Sequence, residues 1–146
     1  LRTDLKWLSA ALVVAGVSTA VPVSASVDTS PRPGGVFKLK PGIYVQKGTD
    51  CGSPPNAAIR RYDGKGISTP NTHACVARVL SRKGQSYSVR QSCIDTGVGK
   101  GPRITEKQVV DVSDALTFKL RTRGAGTSYR YCPAYMLPKD LRGGGK

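Results

Sequence analysis

The stretch CVARVLSRKGQSYSVRQSCI, residues 75–94, decides the fold. Tyr87, Val89, Gln91 and Cys93 recur at every second position with Ser88, Arg90 and Ser92 between them, a period of two that sets one face of a strand inward. Arg82-Lys83-Gly84 supplies the bend before it. With Gly84 at the centre of that bend, Cys75 falls opposite Cys93, Ala77 opposite Gln91 and Val79 opposite Val89, so apolar side meets apolar side.

The same grammar extends in both directions. Upstream, Phe37 and Leu39 alternate with Lys38 and Lys40, and residues 43–45 continue as extended chain after Pro41-Gly42. Residues 58–62 and 66–69 flank Asp63-Gly64-Lys65, a turn in which glycine supplies positive φ. Downstream, strands are expected over 104–112, around Leu116, Phe118 and Leu120, and over 127–132, where Pro133 ends the run. Residues 47–56 and 95–103 read as loops. Seven or eight short strands joined by tight turns, with no convincing amphipathic helix, imply an all-β fold. The expected form is a small antiparallel up-and-down meander closing into a seven- or eight-stranded barrel, with a two-layer sandwich as the alternative. Consecutive hairpins favour the barrel, because a Greek key needs a long crossover that the loops do not offer.

The ends differ from this body. Lys6 precedes an apolar run from Trp7 to Val17, and small residues close on Val23-Ser24-Ala25, the pattern of a removable signal peptide over 1–25. Residues 26–35 are expected to be a flexible linker, 36–137 the barrel domain and 138–146 a disordered tail. No transmembrane segment is expected in the mature chain, and the export signal places it in a secreted or periplasmic, oxidising setting. There Cys51, Cys75, Cys93 and Cys132 are expected to form disulfides. Four thiols allow three pairings. The hairpin register favours Cys75 with Cys93, leaving Cys51 for Cys132, while Cys51 also reaches Cys75 or Cys93 if those strand ends share a rim.

Catalysis finds little support. His73 is the lone histidine, at a loop-to-strand junction, and no nucleophile elbow surrounds Ser68 or Ser81. The carboxylates are scattered, with Asp63 and Asp114 in turns. Residues 97–103, GVGKGPR, lack the helix that a phosphate-cradling loop opens. The cysteine spacing does not suit zinc. The expectation is a protein that is not an enzyme and holds neither metal nor cofactor.

Charge is the strongest functional signal. The whole chain carries 23 Lys and Arg against 9 Asp and Glu, and losing Arg2, Lys6 and Asp4 with a leader leaves 21 against 8, a net +13. Such a balance points to an anionic polymer, lipid head group or other envelope component; nucleic acid is the less favoured partner. Arg60, Arg61, Lys65, Arg82 and Lys83 are expected at one rim, with Lys47, Lys100, Arg103, Arg121 and Arg123 at the other. Tyr87, Tyr129 and Tyr131 are candidate walls of a barrel-mouth pocket in a rival, lipocalin-like reading. A third reading is an enzyme inhibitor that presents loop 95–103. In architecture alone, an exported, disulfide-tied meander of this size resembles small periplasmic lysozyme inhibitors and lipocalin- or avidin-like binders. The Gly-x-Trp start of lipocalins and the tryptophan box of biotin binders are absent, since Trp7 is the sole tryptophan. Such a likeness lends a fold and no ligand.

Overall fold

In the computed structural model, which describes residues 25–96 and 99–143, the deciding hairpin is formed by β4 (His73–Lys83) and β5 (Ser86–Ile94). Ala77 lies opposite Gln91 and Val79 opposite Val89. Beyond Val79 a bulge shifts the register, so that Ser81 meets Ser88 and Lys83 meets Ser86, and Gly84-Gln85 forms the turn in place of a bend centred on Gly84. A second bulge lies between His73 and Val76, where Ala74 takes a positive φ of 47°. The expected signal peptide lies outside the described residues apart from Ala25.

Six further strands complete the meander: β1 (Gly42–Gln46), β2 (Ile59–Tyr62), β3 (Ile67–Ser68), β6 (Arg103–Asp114), β7 (Thr117–Arg121) and β8 (Thr127–Cys132). Their lateral order is β3-β2-β1-β8-β7-β6-β5-β4, every pair antiparallel, with β1 against β8 joining the two halves. The result is a nearly closed eight-stranded barrel tied by the disulfides Cys51–Cys132 and Cys75–Cys93.

The seam lies between β3 and β4. The Ala77 N–H donates to the Lys65 carbonyl across it at 2.8 Å, and Gly66 passes so close that a Cβ there would sit 2.6 Å from the Cys75 carbonyl oxygen. Inside the seam, the Gln91 carboxamide accepts from the Ile67 N–H at 2.7 Å and donates to the Ile67 carbonyl at 2.8 Å. Ala77, small and directly opposite, leaves the path clear.

Inward-facing residues fill the barrel: Tyr44, Tyr62, Tyr87, Val89, Val110, Phe118 and Tyr129 are all buried. Phe37 and Leu39 join them from an unexpected element. Their alternation predicts an extended run, whereas Gly34 and Leu39 form an isolated bridge around a tight turn in which Lys38 has φ 57°. The apolar spacing is met by a plug that drops both side chains into one end of the barrel. Tyr62 Oη fastens it, accepting from the Phe37 N–H at 3.1 Å and donating to the Gly34 carbonyl at 2.8 Å.

β1 is buried on both faces, because a second cluster of Ile43, Val45, Cys51, Ile59, Cys132 and Leu137 covers its outer side. Residues 138–143 hold a helical turn, α1 (Lys139–Arg142), whose Leu141 packs on that cluster. Within the segment read as a linker, Asp28 pairs with Lys40 at 3.3 Å, and the Ser30 hydroxyl contacts Tyr131 Oη. No helix among the described residues is long and apolar enough to cross a membrane.

Candidate anion-binding surface

Chain direction sorts the turns into two ends. The plug, the turn holding Lys65 and the Gly84-Gln85 turn share one; the loops holding Lys47, Lys100 and Arg123 share the other. The expected rim cations divide by what their side chains touch. Arg121 is bidentate with Asp111, its Nε at 3.0 Å from Oδ2 and an Nη at 3.1 Å from Oδ1. Arg82 lies 4.7 Å from the Tyr87 ring centroid and donates to the Gly84 carbonyl. Arg103 donates to the Ser92 and Ala74 carbonyls, holding the upper bulge of β4 against its neighbours. Lys65, Lys83, Lys100 and Arg123 are exposed.

Two expected members sit elsewhere. Arg60 faces the second end, not the first: it stacks 5.0 Å from the Tyr129 ring and lines a mouth of about 220 Å³ of mixed character, with Thr69, Thr72 and Gln108 beside Ile104 and Leu120. Arg61 is half-buried on the outer face of β2, and burial lowers its pKa against the opposing pull of Asp63. The candidate pocket tyrosines are packed: Tyr87 meets Phe37 edge-on and Tyr129 stacks on Phe118, both within the filled core. Tyr131 is 9% exposed, and burial raises its pKa despite the bond with Ser30.

A further group of exposed cations lies on the barrel wall. Arg78 is directly opposite Arg90, and Arg90 is directly opposite Lys107, so three exposed cations stand in one row across β4, β5 and β6. Ala77, Gln91, Glu106 and Gln108 line the interior or its mouth, so their chain neighbours Arg78, Arg90 and Lys107 point outward. With strands about 4.8 Å apart, the row spans roughly 10 Å. Ser92 and Thr105 flank it on one side and Ser88 on the other, by register. Only two ion pairs form among the described residues, Lys40–Asp28 and Arg121–Asp111, and neither touches the row. Like charges directly opposite on a sheet cost stability, a cost that a bound polyanion would relieve.

Turns drew the sequence reading toward the rims and away from this wall. Two of the three members of the row are legible, since the register that sets Ala77 against Gln91 also sets Arg78 against Arg90. Lys107 lies beyond the loop 95–103, whose length leaves the register of β6 open.

His73 Nε2 lies 2.8 Å from the Gly99 carbonyl, which fixes the proton on that nitrogen. Among the described residues, no group of three or more His, Cys, Asp or Glu side chains gathers to hold a metal ion. No protein-family model, curated protein or solved structure matches the chain.

Proposed function

We propose that this is an exported binding protein, without catalytic chemistry, that grips a linear anionic polymer of the cell envelope or its surroundings across the wall formed by β4, β5 and β6. The observation that carries the reading is the row Arg78, Arg90 and Lys107, three outward cations at adjacent register positions with no carboxylate among them. Hydroxyls of Ser88, Ser92 and Thr105 add neutral donors beside the charge. Arg103, next along the outer face of β6 beyond Thr105, extends the track toward the loop end. Export is supported by the leader-like start and by two disulfides, which suit an oxidising compartment.

A repeating anion matches such a row better than a single small one does, because each cation is solvated and weak alone while several release counterions together. Titration of inorganic polyphosphate into the full chain tests this. Affinity is expected to fall steeply between about 50 and about 200 mM salt. A salt-insensitive affinity, or equal binding of neutral dextran, overturns the proposal.

A further inference from the structure

A second site lies on another part of the wall. The C-terminal segment, passing from Pro133 through α1, does not lie flush on the outer face of β1 and β2; it leaves a groove of about 510 Å³. Ile43, Leu137 and Leu141 give it an apolar floor and wall, and Tyr131 lines one end. Its volume and apolar lining with a few polar groups are those of a small-ligand site. Arg61 and Arg142 are its two cations.

They are not equivalent. Arg142 is already engaged, its Nε donating to the Leu137 carbonyl at 2.7 Å. Arg61 is half-buried, and its guanidinium has neither an ion pair nor a hydrogen-bond acceptor among the described residues. Asp63, the carboxylate of the lining, turns its Oδ1 to the N–H groups of Lys65 and Gly66 at 2.8 and 3.0 Å. A partly desolvated guanidinium beside an apolar groove, with five donors and no acceptor, is a recognition element awaiting an anion.

We propose that this groove binds a single-chain amphiphile with one carboxylate, its alkyl chain along Ile43, Leu137 and Leu141 and its head group on Arg61. The proposal is independent of polymer binding at the opposite wall. It also assigns the C-terminal turn a task, since Leu141 supplies one side of the chain-binding surface.

Calorimetric titration of the full chain with decanoate, below its micellar range, against decanol tests the proposal. The expected result is one saturable site that prefers decanoate by about tenfold, the order of one charge-assisted hydrogen bond. Arg61→Gln should reduce that preference to near unity, and Arg61→Lys should keep most of it. Leu141→Ser should weaken both ligands alike. Replacing Arg78, Arg90 and Lys107 by serine should leave decanoate binding unchanged, which separates this site from the polymer row. Equal affinity for acid and alcohol, a preference that survives Arg61→Gln, or no saturable binding overturns the proposal.

Discussion

Gln91 closes the barrel by standing in for a strand at Ile67: its carboxamide takes both the N–H and the C=O that β3 turns toward the seam. β3 is only two residues long, and β4 bulges on both sides of Ala77, so continuous backbone pairing is not available there. A buried glutamine matches one donor and one acceptor at once, which no apolar residue does. Gln91→Leu should cost about 2–4 kcal/mol, because two buried backbone groups lose their partners. Urea unfolding measures the loss, and amide exchange at Ile67 should accelerate. Gln91→Glu retains the acceptor but loses the donor when ionised; burial raises such a carboxyl, so this variant should gain stability relative to wild type as pH falls and the group protonates.

The plug depends on Tyr62 in the same manner. Tyr62→Phe removes the oxygen that serves the Phe37 N–H and the Gly34 carbonyl while leaving the ring in place. A loss of about 1–3 kcal/mol is expected. An unchanged unfolding midpoint would show that water replaces the hydroxyl.

The two disulfides should contribute unequally. Cys51–Cys132 closes a separation of 81 residues and Cys75–Cys93 one of 18. On chain-entropy grounds their removal as alanine pairs should cost about 4.5 and about 3 kcal/mol respectively. The long link also fixes the loop after β1 to the end of β8, where Arg130 donates to the Cys51 sulfur and the Thr49 carbonyl. Guanidinium melts of the two double variants should therefore rank the 51/132 pair as the less stable.

Asp28 predicts an acid-sensitive N-terminal segment. Burial raises its pKa, but hydrogen bonds from the Ser30 side chain and backbone, then from Tyr131 and Lys40, outweigh that and leave it below the ordinary carboxylate value. A folded pKa lower than the unfolded one gives stabilisation that is complete above the unfolded pKa, near pH 4, and is lost as pH falls toward the folded value. Docking of residues 28–31 should thus weaken below about pH 4. Asp28→Asn should flatten that limb, visible in the pH dependence of Tyr131 ring resonances.

Period-two alternation revealed the strands because each has one face in a shared core, and the Ala77–Gln91 register followed from the hairpin. It failed where a different physical solution met the same spacing. Phe37 and Leu39 are two residues apart in a strand or in a plug, and only the open barrel end selects the plug. Gln91 is grouped by its spacing with an apolar face, and its partner across the seam, Ile67, is 24 residues away and beyond any local pattern. Grouping Arg60 with the turn after β2 sets it at the wrong end, because it stands near the start of that strand and its inward side chain reaches Tyr129. Leu141 falls in the segment expected to be a loose tail, since the cluster it packs on includes Ile43 and Val45, some ninety positions earlier on a strand buried on both faces.

The central claim is tested most directly by comparing two charge-matched variants for polyphosphate binding as salt is varied. One replaces Arg78, Arg90 and Lys107 with serine; the other replaces Arg32, Lys47 and Lys139, which are exposed and lie outside the row. Both lose three charges, so a diffuse net-charge effect would treat them alike. If the row is the binding element, its variant alone should show a log-affinity against log-salt slope shallower by about 2, three contacts at roughly 0.7 each. Equal slopes for the two variants would contradict the account.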